Sequence, residues 1–342
     1  MQTIRFAILG VGNIAPVHAA AIRATPGCEL VAAATRDPAR GQAFTAQYGG
    51  AWHADYREVL ARADVDAVTI CTAHDLHAPL TQAAAAAGKH VWCEKPMATT
   101  VAECEAMLTA CEQAGITLGV VFQSRFEPLT LKLKALIDSG RLGRLVWVSA
   151  STLWHRDDAY YASRAWRTSP AQSGGGVLIN QAIHALDLLV WLAGLPAAVT
   201  AQARTLAHAI EVEDAVQALL TYPDGKLGLV QATTAAYPGY PERLEFFGTN
   251  GSAVYHKGLG RLEWHLQEPR EAGSEEAAIS SGAARPMDIS TAGHTAQLQD
   301  FVAALRERRQ PLLDGREGKR SLQLVEAIYQ SARAGQPVHL TR

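Results

Sequence analysis

Ile4-Arg5-Phe6-Ala7-Ile8-Leu9-Gly10-Val11-Gly12-Asn13-Ile14-Ala15 is the stretch that decides the fold. Its apolar half, Ile4–Leu9, reads as a strand, and it runs straight into the pattern G-x-G-x-x-A from Gly10 to Ala15. A helix follows from about Ala15 to Ala24. At such a junction the first glycine makes the tight turn and the second lets the backbone approach a pyrophosphate. The small Ala15 permits close helix–strand packing, and the helix N-terminus favours negative charge. In an alanine-rich chain the bare spacing carries little weight; its place between a first strand and a helix is what makes it specific. Gly10, Gly12, Asn13 and Ile14 are therefore candidate dinucleotide contacts.

Working outward, the second strand, Glu29–Ala34, ends at Thr35-Arg36-Asp37-Pro38. An NAD binder carries an acidic residue here, about 20 positions past the glycines, to hold the ribose 2′-hydroxyl. This chain has Thr35 and Arg36, with Arg40 close behind. A hydroxyl and a guanidinium suit a 2′-phosphate better than a diol, which predicts NADP(H). The alternative is NAD(H), with Asp37 as the acidic residue and Arg36 merely exposed. Helices near Pro38–Tyr48 and Asp55–Ala63 lead to the strand Ala67–Cys71. Thr72 and His74 lie on the loop at its carboxyl edge and are further candidates for touching the cofactor. His77, just before Pro79 at a helix start, reads as a local structural contact.

The run Lys89-His90-Val91-Trp92-Cys93-Glu94-Lys95-Pro96-Met97 is a short buried strand that ends in Glu94, Lys95 and Pro96. Ligands of open parallel sheets bind outside the carboxyl ends of the strands, so Lys95 points where chemistry happens. An X-Pro bond adopts the cis form at little cost, and a cis Lys95–Pro96 bond is expected to aim the ammonium into the crevice. Helix Val101–Ala114 and strand Thr117–Phe122 complete the alternation. Strands alternating with helices make a doubly wound parallel sheet, so residues 1–122 form a Rossmann domain.

After Phe122 the grammar changes. Helix Pro128–Ser139 is followed by strand-like runs at Val146–Thr152, Ala198–Leu206, Ala215–Tyr222, Leu227–Thr234, Arg243–Gly248 and Ser252–His256. Pro223-Asp224-Gly225-Lys226 is hairpin chemistry. Residues 123–342 thus read as an α+β domain on a mainly antiparallel open sheet, with the last helix a candidate to pack back on the first domain. Such a sheet leaves one face for a second subunit, giving a homodimer or homotetramer. The polar segment Glu268–Arg285 reads as a long exposed loop. Gly174-Gly175-Gly176 opens an apolar-periodic helix expected from Val177 to Leu192. On a continuous helix Asn180 and His184 share a face, and His184 neighbours Asp187, whose expected role is structural pairing.

Composition narrows the function classes. Net charge is -2, with 31 basic against 33 acidic residues, and no basic stripe argues for nucleic acid or an anionic membrane. The apolar run near Ile183–Val199 carries His184, Asp187, Gly194 and Pro196, and so reads as a buried helix rather than a span. The five cysteines lie in the first third without a C-x-x-C. With no room for a signal peptide before the first strand, the expectation is a reduced, cytoplasmic protein. No His/Cys set has zinc spacing, so no metal is expected.

Together these motifs resemble the glucose–fructose oxidoreductase/inositol dehydrogenase (Gfo/Idh/MocA) family along nearly the whole chain. The resemblance rests on Gly10–Ala15, Glu94-Lys95-Pro96, Gly174–Asp187, and the tail from Asp300-Phe301-Val302 to Pro311-Leu312-Leu313-Asp314-Gly315. It implies an NAD(P)-dependent oxidoreductase in which Lys95 and His184 sit beside the nicotinamide and the substrate carbinol. Many members carry Asp where this chain has Asn180. An amide accepts no proton, so Asn180 is expected only to position substrate hydroxyls.

Chemistry read from the residues agrees. Oxidising a secondary alcohol requires removing its proton as hydride leaves; a histidine with an ordinary pKa of about 6.5 suits that task. Lys95 stabilises the developing alkoxide by charge. Further substrate candidates are Arg125, Tyr161 and His294. Trp166 and Arg167 fit either a stacked cofactor edge or core packing, and Glu94 joins the cofactor set beside Lys95. The family resemblance implies a sugar or polyol as substrate. Two rivals stand beside it: glycoside cleavage through transient C3 oxidation and elimination, and a non-catalytic dinucleotide-binding sensor.

Overall fold

The computed structural model describes residues 3–277 and 290–340. In chain order the elements begin with β1 (Ile4–Leu9), α1 (Ala15–Ala24), β2 (Cys28–Ala34), α2 (Pro38–Tyr48), β3 (Ala51–His53), α3 (Tyr56–Leu60) and β4 (Ala67–Ile70). Next come α4 (His77–Ala86), β5 (His90–Cys93), α5 (Val101–Ala114), β6 (Leu118–Val120), α6 (Pro128–Asp138) and β7 (Leu145–Leu153). Short helices α7 (Asp158–Ala162), α8 (Pro170–Ser173) and α9 (Val177–Asn180) precede α10 (Ile183–Ala193). Then follow β8 (Ala198–Arg204), β9 (Ala215–Thr221), β10 (Leu227–Thr233), β11 (Arg243–Gly248), β12 (Gly251–His256), β13 (Arg261–Leu266) and β14 (Glu271–Glu276). The chain closes with α11 (Ala292–Glu307), α12 (Gly315–Ala334) and β15 (Val338–His339).

These elements form two compact units. One takes the chain up to Gln123 together with Ser290–Lys319; the other takes Ser124 onward together with the residues from Arg320. The first unit is a six-stranded parallel sheet in the order β3-β2-β1-β4-β5-β6. That order reverses direction between β1 and β4, the switch point at which such sheets bind dinucleotides. Every residue of β4 is buried, as a central strand covered on both faces requires. Local rules fix the helix ends. Asp37 caps α2 by accepting the Arg40 N–H, ahead of Pro38 in the first turn. Thr100 and Glu103 form a capping box on α5, which stops at Gly115 in the left-handed region.

The division differs from a cut after residue 122. Residues 290–319, which the sequence reading gives to the second domain, group with the first. The cause is burial: Leu298, Phe301 and Val302 of α11 share one core with Phe6 and Ile8 of β1, Ile22 of α1 and Trp92 of β5. Gly119 in β6 allows this approach, since a Cβ there would lie 2.7 Å from the Phe301 ring.

The second unit is a nine-stranded sheet in the order β14-β13-β12-β11-β7-β10-β9-β8-β15. Its pairings are antiparallel except β7 with β10. Helix α10 packs against β7 and β11. The loop expected over 268–285 is partly a strand. Glu271–Glu276 pairs residue for residue with β13. Its polar, glycine-containing sequence has little strand propensity, but an exposed edge strand needs only backbone pairing, and charges there discourage further pairing. The part of that stretch from 278 to 285 lies outside the described residues.

Candidate active site

The first unit offers a dinucleotide cradle, and its backbone shows why glycine stands where it does. Gly10 has φ +95°, and a Cβ on it would meet Thr72 Cγ2 at 2.7 Å and the Cys71 carbonyl oxygen at 2.9 Å. Gly10 is thus a requirement of the fold. Gly12 is different: a Cβ there would meet only the Cys71 oxygen, at 3.5 Å. Among the described residues nothing demands glycine at position 12, whereas a pyrophosphate drawn close to the backbone would. Helix α1 follows Ile14 without a side-chain cap and without an acidic residue in its first turn, so neither cap nor first turn supplies an anion to its N–H groups and positive dipole end. The cradle fits a pyrophosphate, with Asn13 and Ile14 on the same turn. At the end of β2, Asp37 is occupied as the α2 cap and lies 3.7 Å from the Arg40 guanidinium. Its carboxylate is therefore engaged locally, while Arg36 is exposed and Thr35 half-buried.

Lys95 follows the carboxyl end of β5, and the Lys95–Pro96 bond is cis as expected. Beside it lie Glu94 and His18, the latter not singled out in the sequence. Glu94 is buried with its carboxylate turned into the unit: Oε1 accepts from His18 Nε2 at 2.7 Å, and Oε2 accepts the Lys95 backbone N–H at 3.1 Å. Its carboxylate is thus engaged within the unit. His18 Nδ1 meets Thr69 Oγ1 at 2.7 Å, so the hydroxyl donates to one ring nitrogen while the other donates to the carboxylate. Burial alone would raise Glu94, but the hydrogen bond from His18 and the neighbouring His294 ring hold it well below the usual carboxylate range. Burial holds His18 below the usual imidazole range despite Glu94. The pair is a carboxylate beside a neutral ring.

His294, a substrate candidate by sequence, is buried in this cluster with Nε2 3.8 Å from Glu94 Oε1. The reason is again the placement of α11 in the first unit. Among the described residues His18, Glu94 and His294 are the one set with three potential metal-ligand atoms within 4.8 Å of one another. Two ligands on a tetrahedral ion with bonds of about 2.0–2.2 Å stand roughly 3.3 Å apart. The His18–Glu94 separation of 2.7 Å is that of a direct hydrogen bond.

Across the same edge, His77 at the start of α4 faces the Pro96 carbonyl oxygen from Nδ1 at 2.8 Å and the Thr72 carbonyl oxygen from Nε2 at 3.4 Å. The local structural role expected of it is what the geometry shows. His74 is buried beside it, with ring centroids 5.8 Å apart. Thr72 is half-buried against Gly10.

In the second unit the expected continuous helix from Val177 is broken. The Ala182 N–H reaches back five residues to the Val177 carbonyl, a wide turn that ends α9 at Asn180 and starts α10 at Ile183. The axes of Pro170–Asn180 and Ile183–Ala193 meet at 59°. Asn180 and His184 therefore flank a bend, both half-buried, rather than share a straight face. A distant carboxylate holds the first turn of α9, ahead of the bend. Glu213 accepts the N–H groups of Gly176 at 2.7 Å and Leu178 at 3.0 Å, and the Tyr329 hydroxyl donates to it at 2.8 Å. Burial raises its pKa against these hydrogen bonds. Two of the three glycines thus serve packing: a Cβ on Gly176 would fall 1.9 Å from the Glu213 carbonyl oxygen, and one on Gly175 2.1 Å from the Tyr329 hydroxyl. Among the described residues no single helix is long and apolar enough to cross a membrane.

Three more candidates have structural tasks here. Arg125 forms a buried two-pronged ion pair with Asp187, Nε to Oδ2 at 2.8 Å and Nη2 to Oδ1 at 2.7 Å, which Ser321 joins at 2.7 Å. It is spent inside the unit, and Asp187 has the structural role expected. Tyr161 is buried with its hydroxyl 2.8 Å from Thr234 Oγ1, and burial pushes it up to about 12. Arg167 stacks on the Tyr160 ring at 4.2 Å and donates to the Tyr160 carbonyl at 3.0 Å, with Trp166 beside it. Burial lowers Arg167. Tyr160, which sequence reasoning missed, links this cluster to the bend, its hydroxyl accepting from Gln181 Nε2 at 3.0 Å.

Known proteins align with this arrangement from end to end. The model of the oxidoreductase family with an NAD-binding Rossmann fold matches residues 4–122, and the GFO/IDH/MocA C-terminal domain matches residues 130–254. Inositol 2-dehydrogenase of Rhizobium meliloti (strain 1021) is 30% identical, covering 96% of this chain and 97% of its own. The WlbA dehydrogenase from Bordetella pertussis, solved in complex with NADH and UDP-GlcNAcA, superposes with a TM-score of 0.86 at 32% identity over 100% of both chains. Levoglucosan dehydrogenase, solved with NADH and levoglucosan, gives 0.88 at 25% identity, again over 100% of both. With two family models matched along the chain and a relative 30% identical over nearly all of it, the chain belongs to the Gfo/Idh/MocA family of nicotinamide-dependent oxidoreductases.

Proposed function

We propose that this protein is a dehydrogenase or reductase acting on a secondary hydroxyl or ketone of a sugar or polyol, with Lys95 and His184 at the reacting carbon. The observation that carries the reading is Lys95 at the carboxyl end of β5, in the same parallel sheet whose β1 runs into the pyrophosphate cradle. Relatives named for inositol and levoglucosan support a polyhydroxylated ring as substrate.

Bound nicotinamide supplies the hydride acceptor in one direction and the donor in the other. In oxidation, His184 takes the proton of the carbinol as the C–H bond breaks, and Lys95 holds the oxygen while it carries negative charge. In reduction the roles reverse, and His184 returns the proton. Asn180 donates to and accepts from neighbouring substrate hydroxyls, fixing which carbon is presented. At the adenosine end, Arg36 and Thr35 meet a 2′-phosphate, with Asp37 engaged elsewhere; the preferred cofactor is NADP(H).

The protein acts as a homo-oligomer through the open face of the nine-stranded sheet, where Leu219 and Leu227 stand exposed on adjacent strands. The five free cysteines suit a reducing cytoplasm.

A panel of sugars, polyols and keto-sugars assayed with each cofactor by absorbance of the reduced nicotinamide tests the activity. Stoichiometric reduction of cofactor with formation of a keto-sugar is the expected result. Glycoside cleavage without net cofactor turnover, or binding without any reaction, overturns it.

A further inference from the structure

Resting on the assignment of Lys95 to the reacting carbon, we propose that two buried histidines, His18 and His77, are positioning residues for that lysine, His18 acting through Glu94 and His77 through Pro96. A four-residue strand followed by a turn does not by itself hold a long, flexible side chain to a fraction of an ångström, and a flexible ammonium stabilises an alkoxide poorly. What sits on either side of the turn is therefore informative.

Below it, the Glu94 carboxylate accepts the Lys95 N–H at 3.1 Å and is itself held by His18 Nε2 at 2.7 Å. His18 is fixed in turn by Thr69 on β4, and its ring packs 4.7 Å from Trp92 on β5. Above it, His77 Nδ1 donates to the Pro96 carbonyl at 2.8 Å, so the residues on both sides of the lysine's backbone are anchored. His77 Nε2 also faces the Thr72 carbonyl, which ties the lysine's turn to the loop that packs on Gly10. Both histidines are fully buried, and burial lowers both. Each then has one N–H to give, and the distances show where it goes: Nε2–H of His18 to Glu94, Nδ1–H of His77 to Pro96. The reaction as derived uses neither ring.

The two rings use different nitrogens, which gives a test that a packing role would not pass. A glutamine amide reproduces a donor at the Nε2 position and an asparagine amide one at the Nδ1 position. His18→Leu and His77→Leu are expected to lower kcat at least tenfold while the Kd for NAD(P)H, read by its fluorescence, stays within threefold. His18→Gln and His77→Asn are expected to recover kcat to within threefold of the parent. If a leucine variant does not fold, the mismatched amides His18→Asn and His77→Gln serve as the unrescued arm. Leucine variants with parental kcat, or matched amides no better than mismatched ones, overturn the inference while leaving the function intact. Lys95→Ala is measured alongside; parental turnover in that variant removes both.

Discussion

The two units place their candidate residues by different physics. In the first, the cradle is made from backbone: a left-handed Gly10, an uncapped α1 and a cis turn at Lys95. Such features are local, and a strand–turn–helix motif creates them wherever it occurs. In the second, the candidates flank a bend after α9, a short helix held at its start by Glu213 and Tyr329, 33 and 149 positions beyond Asn180 in the chain. A site made of local backbone tolerates distant change. A site made of a distant carboxylate does not.

That contrast can be broken at several points. The largest effect is expected in the second unit at the Arg125–Asp187 pair. Arg125→Met leaves a buried carboxylate without its counter-ion, a loss of about 3–5 kcal/mol, to be seen as a lower midpoint in denaturant; a change below 1 kcal/mol would mean the pair is dispensable. In the first unit, the two glycines should separate folding from binding. Gly10→Ala strains a φ of +95° against Thr72 and should lower Tm. Gly12→Val should leave Tm nearly unchanged and weaken dinucleotide binding by about 100-fold, roughly 2.7 kcal/mol. Calorimetry and a binding titration on both variants decide this.

A smaller effect concerns pH. His18 and His77 stay neutral in the fold because burial opposes their charge. As pH falls through about 6.5 the unfolded chain takes up protons on both rings and the fold does not, so stability declines as pH drops from about 6.5 toward 5. His77→Asn should flatten that slope of Tm against pH, and an unchanged slope would show that His77 does not contribute to it. The smallest expected change is at the adenosine end, where Arg36→Ala should cost about tenfold in NADP(H) affinity and little in NAD(H) affinity. Tighter NAD(H) binding in the parent protein would reverse the cofactor assignment.

What the sequence made legible follows the same line. The alternation of strands and helices, the strand Arg243–Gly248, the helix Val101–Ala114 and the cis Lys95–Pro96 bond were readable, because each rests on nearby residues. The placement of α11 in the first core was not: an amphipathic helix states that it has a partner face and not which sheet supplies it. His294 and Arg125 looked like free polar side chains for the same reason, and their partners, Glu94 and Asp187, are set by tertiary packing. The bend after Asn180 was hidden because an unbroken apolar period continues across it. One signal was available and unused. His18 sits on the face of α1 that Ala15, Ala19 and Ile22 bury, and a histidine on such a face must find a polar partner.

The central claim is that Lys95 and His184 serve one step on one hydroxyl. Its most direct test is kcat for Lys95→Ala, His184→Ala and the double variant on the best substrate of the panel. Two groups acting as a unit predict a loss of about 100-fold or more in each single variant and no further large loss in the double. Parental turnover in either single variant, or losses that multiply in the double, contradicts it.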